Sequence, residues 1–342
     1  MTSFGSSLTA ISGAVLGLGL AHQAHASIRT NQAHHRGWQR HEVVGETSNV
    51  LSVHRREAGP GAPELFFEAG LMNTSTSWLM LAERLAADCT VTVYDRAGYR
   101  RSRRGQSEPY HLGESVSDLV DVVRALKADG ADVTLVGHSL GGYIAHRAAS
   151  LLGDLTGLVL VDPMHPQELV ASRGQRLGSK GLDLSLRTGP VTVALGGGLL
   201  MDKAGALRVS EGNPYLRGLR DELSALSTWT TALREWRYTY PFMLDGGLPL
   251  ADLGVPVHVV GASETLEGSA EQREMFDSYV ASGTAGGGLV EVPGTTHLGI
   301  VGSPASLDAV AAAVREAITP GTDAERVAPT HRTEEVTHHA GR

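Results

Sequence analysis

Cysteine is almost absent: Cys89 is the only one in 342 residues. No disulfide can form within the chain, so its stability must come from burial. Cys89 lies just before a predicted buried strand, Val91 to Tyr94, and reads as a small core residue rather than a reactive thiol. Positive charge is also short, 29 lysines and arginines against 37 aspartates and glutamates, for a formal net charge of −8. No basic stripe gathers what there is, which excludes a nucleic-acid partner, whose phosphates demand a lysine- and arginine-rich face. A long apolar run is missing too. The uncharged stretch Leu8 to Ala21 falls short of the roughly 20 apolar residues a spanning helix needs, so no stable membrane span is expected. The histidine pairs His34-His35 and His338-His339 lack a spaced carboxylate or cysteine partner, and no metal site is predicted.

What the chain does have is apolar material, 42% of its residues, with 19% charged. That is enough for a sizeable core and argues against disorder outside the ends. At this length one α/β core with an insertion is the starting expectation. The apolar run at the N-terminus is followed by Ala24-His25-Ala26, which has the small-x-small form of a secretory cleavage site. Residues 1–26 are therefore read as a signal peptide and the protein as exported, with a cytoplasmic protein as the alternative because Met1 to Ser7 carries no lysine or arginine. Residues 27–37 read as a linker, and residues 321–342, polar, charged and aperiodic, as a disordered tail.

Two short β-like runs, Trp38 to Val44 and Val50 to Arg55, flank a turn-forming stretch and predict an antiparallel hairpin. Strand-like runs then alternate with helix-like ones: Glu64 to Glu68, Val91 to Tyr94, Val133 to Val136, Leu158 to Val161, Val257 to Val260 and Leu289 to Val292. Apolar strands alternating with helices imply a mostly parallel, doubly wound sheet covered on both faces. Helical periodicity is clearest over Glu114 to Lys127 and after Pro304, through Leu307, Val310, Val314 and Ile318. Between Met164 and Gly254 the alternation breaks. That stretch reads as an inserted, mainly helical cap, with a helix over Leu216 to Trp236, while residues 38–163 and 255–320 make the core.

The decisive segment is Val133-Thr134-Leu135-Val136-Gly137-His138-Ser139-Leu140-Gly141-Gly142: a buried strand, then G-x-S-x-G, then a small-residue helix start. A serine on such a turn is presented at the sheet edge, with flanking glycines that permit the close backbone approach. A neutral hydroxyl needs a base to become a nucleophile. His297, in a loop after the last predicted strand, is the expected base; His258 lies within a strand, and His146 on the helix after the turn. The acid that would orient His297 is expected to be Glu264, just past the strand Val257 to Val260, with Asp162 at the end of the preceding strand as the alternate. The backbone N–H of Leu140 and that of Leu71, or of Met72 should the loop shift by one, are expected to form an oxyanion hole. His138, Trp229, Trp236 and Tyr238 are candidate substrate contacts, the cap aromatics together with Tyr240 and Phe242 serving either as an acyl pocket or as the cap's own core.

Glu68-Ala69-Gly70, Ser77-Trp78, Tyr94-Asp95-Arg96-Ala97-Gly98-Tyr99, Gly137-His138-Ser139-Leu140-Gly141-Gly142 and Leu158-Val159-Leu160-Val161-Asp162-Pro163 together resemble the α/β-hydrolase superfamily. The resemblance implies an ester-, amide- or lactone-cleaving reaction on a small-molecule substrate, with no metal or organic cofactor. The aspartate-nucleophile branches of that fold, dehalogenases and epoxide hydrolases, are disfavoured because the elbow holds serine. The chain departs from the pattern at Arg100-Arg101-Ser102, where Gly-x-Ser is usual, so a more basic loop is expected beside the active-site mouth. The expectation is an esterase working through an acyl-enzyme on Ser139. The rivals are an aminopeptidase or amidase, in which Glu211, Asp221 or Glu222 holds a substrate amine, and a non-catalytic binding module. The sequence carries no signal for an oligomeric state.

Overall fold

The computed structural model describes residues 19, 21–30, 37–200, 210–267 and 270–318. The tail at 321–342, and the predicted signal segment apart from residues 19 and 21–26, lie outside them. Eight strands form one sheet in the order β1-β2-β4-β3-β5-β6-β7-β8. The strands are β1 (Gln39–Val44), β2 (Val50–Arg56), β3 (Glu64–Glu68), β4 (Thr90–Tyr94), β5 (Val133–His138), β6 (Gly157–Val161), β7 (Val257–Ala262) and β8 (Gly287–Val292). β1 and β2 pair antiparallel, as do β2 and β4, and the remaining pairings are parallel.

The parallel strands look like unbroken apolar runs because both their faces are buried. Phe66, Leu135, Leu158, Leu160, Val257 and Val259 pack to one side, where α2 (Leu112–Leu126), α3 (Leu140–Leu152) and α9 (Ala270–Ala281) cover them. Leu65, Phe67, Val136, Val159, Val161 and Val260 pack to the other, under α1 (Leu79–Leu85) and α11 (Pro304–Ile318). Successive residues of one strand thus feed opposite cores, as the two-residue period requires. Cys89 is buried and free in the second core, and burial raises its thiol pKa, as expected of an inert packing residue.

Between β6 and β7 the chain leaves the sheet for α4 (Glu168–Ala171), α5 (Arg173–Ala194), α6 (Leu216–Ser224) and α7 (Leu226–Leu244). The helix expected over Leu216 to Trp236 is in fact two. Ala225 is extended between them, and the groups freed at the break are taken by one distant side chain: Gln23 Nε2 donates to Ser224 O at 3.1 Å, and Leu226 N donates to Gln23 Oε1 at 2.8 Å. Gln23 belongs to a helical segment, residues 21–30, that lies against the inserted helices and is tied further by an Arg29–Asp221 pair at 2.9 Å. Residues 27–30 are therefore helix rather than linker, held by partners far away in the sequence. Short α8 (Ser263–Glu267) follows β7, and α10 (Gly299–Gly302) precedes α11. Among the described residues no helix is long and apolar enough to cross a membrane.

Candidate active site

The turn between β5 and α3 holds Ser139 at φ +53°, a strained conformation for a residue with a side chain. Two neighbouring glycines make it sterically feasible. A Cβ on Gly137 would sit 2.5 Å from Gly141 O, and one on Gly141 would sit 2.4 Å from Ala69 O, distances no real side chain tolerates. Ser139 N donates to Val161 O at 3.2 Å, and Met164 N to Ser139 O at 2.9 Å, which ties the turn to the end of β6.

The Ser139 hydroxyl donates to His297 Nε2 at 3.0 Å, and His297 Nδ1 donates to Asp162 Oδ2 at 2.6 Å. Asp162, one residue past β6 at φ +44°, also accepts from Ala262 N at 2.9 Å and from the Thr265 hydroxyl at 2.8 Å. Burial would raise its carboxyl pKa, but the hydrogen bond from His297, that group's charge and these two donors outweigh it and hold the group below its usual value. Burial would likewise lower the His297 pKa, but the Asp162 hydrogen bond and charge raise it above that of a free imidazole. The arrangement can take a proton from Ser139 and stabilise the resulting imidazolium.

Glu264, expected to hold the histidine, is replaced in that position by Asp162. Glu264 stands in the first turn of α8 with an exposed side chain, and its backbone N donates to Thr295 O at 3.1 Å. Both carboxylates follow neighbouring strands, but only the one after β6 turns inward under the His297 ring.

His138 also departs from expectation. It shares a strand face with Val136, packs edge-on against Trp78 beneath the site, and lines no cavity at Ser139. Its Nε2–H donates to His297 O at 3.1 Å, so it anchors the histidine's loop instead of touching substrate. Burial, with the nearby His297 charge, lowers its pKa to about 3 and keeps it neutral.

Two cavities meet at Ser139, sharing Leu71, Leu182 and His297 as walls. The larger, about 430 Å³, is mostly apolar and is lined by Met72, Leu219, Leu223, Trp229 and Val301 among others. The smaller, about 270 Å³, is lined by Met164, Trp236 and the polar side chains of Glu168, Gln175, Ser179 and Gln272. Trp229 and Trp236 thus reach the site, one in each lobe, while Tyr238 does not. It stacks on Phe242 and meets Tyr110 edge-on over a separate groove of the inserted segment. Helix phase is the reason: Trp229 and Trp236 are seven residues apart on one face of α7, and Tyr238, two further on, falls on the other. Leu140 begins α3 directly after Ser139, and Leu71 lines both lobes beside the serine. The Met72 N–H is committed elsewhere, to the Tyr99 hydroxyl at 3.2 Å.

Sequence reasoning missed the group that holds this loop. Arg96 is buried and donates through Nη1 to Glu68 Oε1 at 2.7 Å and also to Ala69 O, and through Nη2 to Gly70 O at 3.0 Å. Its Nε and Nη2 also meet both oxygens of Glu235 on α7 at 2.9 Å. Tyr99 donates to the same carboxylate at 3.0 Å. One guanidinium therefore links the inserted helices to the loop after β3.

The Arg100 side chain is buried as well, 4% exposed, rather than basic at the mouth. It pairs with Glu222 at 3.2 Å and donates to Thr30 O at 2.9 Å. Glu222 also accepts from the hydroxyls of Thr74 and Thr76, so it is occupied, and Asp221 pairs with Arg29. Neither offers a free carboxylate to a substrate amine. Glu211 lines neither lobe. Glu168 does line one, and no sequence signal marked it. His258, in β7, and His146, bonded to Ser282 Oγ at 3.1 Å, lie away from Ser139. Among the described residues no group of three or more histidines, cysteines or carboxylates could hold a metal.

The sequence profile of the alpha/beta hydrolase family matches residues 60–313, and the chain belongs to that family. Solved structures agree on the fold. A variant of a candidate epoxide hydrolase from Pseudomonas aeruginosa is 16% identical, with a TM-score of 0.65 over 83% of this chain and 98% of that one. A serine hydrolase involved in carbazole degradation is 16% identical, with a TM-score of 0.59 over 82% and 99%. An epoxide hydrolase from metagenomes of hot environments is 20% identical, with a TM-score of 0.58 over 82% and 99%. A search of curated proteins finds no significant match.

Proposed function

We propose that the protein is a serine hydrolase that cleaves an ester-type small molecule, a carboxylic ester or lactone, through an acyl-enzyme on Ser139. The observation that carries this reading is the continuous line from Ser139 Oγ through His297 to Asp162, opening on the two-lobed cavity. In the first step Ser139 Oγ attacks the carbonyl carbon while His297 Nε2 accepts its proton. The oxyanion that forms is stabilised by the N–H groups of Leu140 and Leu71, each such donor being worth about 10²- to 10³-fold in rate. The intermediate collapses, the alcohol leaves with the proton from His297, and the acyl group stays on Ser139. Water, deprotonated by His297, then repeats the attack and releases the acid.

Proteins described as epoxide hydrolases are among the similar structures. The aspartate-nucleophile branch of this fold builds its ester on a carboxylate. Position 139 holds a hydroxyl instead, which favours the serine reading.

The reaction needs a neutral His297, whose pKa is raised. Activity is thus expected to fall on the acid side with an apparent pKa above that of free imidazole, and Asp162→Asn should move that limb to lower pH. The profile of kcat/KM against pH checks both. The reading as a whole is tested with p-nitrophenyl esters from acetyl to long acyl. The wild type is expected to turn several over and Ser139→Ala none. No turnover of any ester by folded wild type would overturn the ester reading.

A further inference from the structure

The two lobes at Ser139 differ in chemistry, and the ester reading alone leaves the smaller one unexplained. Glu168 lines it, and its Oε2 accepts from the backbone N of His165 at 3.2 Å. Burial pushes this carboxyl up to about 7, against that bond and the charge of His297. Gln175 and Ser179 of α5 line the same lobe with polar side chains. Gln272 and Trp236 complete its wall, 1% and 2% exposed, but Gln272 Oε1 and the Trp236 indole N are occluded from it. A carboxylate can accept several hydrogen bonds, and its burial without them is costly. Three polar side chains around one cavity beside the nucleophile suit a ligand group that hydrogen-bonds to them. No lysine or arginine lines the lobe among the described residues, so a carboxylate-ended arm would meet Glu168 and Asp162 uncompensated. A wholly apolar arm would displace water from the Glu168 carboxylate without replacing its hydrogen bonds.

We infer, on the ester-hydrolase reading above, that the smaller lobe is a specificity pocket for a substrate arm ending in a hydrogen-bond donor, a hydroxyl or ammonium group. Glu168 accepts from that group, Gln175 and Ser179 complete its contacts, and the larger apolar lobe takes the hydrocarbon part of the ester.

The test uses two matched ester sets with the full chain. In one, p-nitrophenyl hexanoates carry an ω-methyl, ω-hydroxyl, ω-ammonium or ω-carboxylate end; in the other, hexanoates of six-carbon alcohols carry the same ends on the alcohol side. In one of the sets, kcat/KM for the hydroxyl or ammonium end is expected to exceed that for the methyl end by about tenfold or more. The carboxylate end should fall below it. Glu168→Gln and Gln175→Leu should each move that ratio towards one, and Glu168→Asp should restore part of it. The two variants act on separate elements, so loss of fold in one leaves the other to decide. Which donor wins separates a neutral from a cationic arm. Hydrolysis of the methyl-ended esters with ratios near one in both sets overturns the pocket assignment and leaves the ester reading standing. No hydrolysis of any ester, with Ser139 unlabelled by a fluorophosphonate, overturns both.

Discussion

Asp162→Asn is expected to lower kcat by about 10⁴-fold, while Glu264→Gln changes it by no more than a few-fold. The asymmetry follows from the hydrogen bonds. The Asp162 carboxylate accepts from His297 Nδ1 at 2.6 Å, with Ala262 N and the Thr265 hydroxyl fixing its orientation. An amide there can turn its NH₂ towards Nδ1, which favours the wrong tautomer and leaves Nε2 protonated and unable to act as a base. It also removes the charge that stabilises the imidazolium. Glu264 is exposed and acts on His297 only as a weak, distant charge. Steady-state kinetics of both variants on one ester check the contrast. A large loss confined to Glu264→Gln would reverse the assignment.

Arg96→Met is expected to destabilise the protein by about 3–5 kcal/mol, the usual result of removing one partner from a buried ion pair. Here the removal strands two buried carboxylates, Glu68 and Glu235, and frees the carbonyls of Ala69 and Gly70. Those carbonyls belong to the loop whose Leu71 amide is proposed to bind the oxyanion, so kcat should fall even where the fold survives. Arg96→Lys should not restore either property, because a single ammonium cannot match a fork that engages two carboxylates and two carbonyls. Urea unfolding, followed by kinetics on the folded fraction, reads both effects. A stability within 1 kcal/mol or so of wild type, with unchanged kcat, would contradict the role given to this cluster.

Where the chain's local pattern determines the structure, the sequence was readable. The parallel strands could be recognised because strands buried on both faces must be apolar throughout, and β3 runs from Glu64 to Glu68 as expected. The elbow could be recognised because its geometry is carried by adjacent residues, Gly137 and Gly141 around Ser139. The partner of His297 could not, since Asp162 and Glu264 both follow strand ends and only the path of the histidine's loop across the sheet chooses between them. Nor could the break at Ala225, whose capping group, Gln23, lies about 200 residues away. Glu168, in a one-turn helix, has no pattern to mark it. Tyr238 is different, because its place was within reach: the seven-residue spacing of Trp229 and Trp236 already puts it off their face. The resemblance to an Asp-Arg-Ala-Gly-Tyr segment located Arg96 and Tyr99 without revealing what they do, because their partner Glu235 lies on the inserted α7.

The central claim is that Ser139 becomes covalently bound during turnover. Intact-protein and peptide mass spectrometry after treatment with a fluorophosphonate reads it most directly. The account predicts one adduct per chain, on the peptide that carries Ser139, absent in Ser139→Ala and strongly slowed in His297→Ala. An adduct on another residue, or a wild type that stays unmodified while it hydrolyses esters, would contradict it.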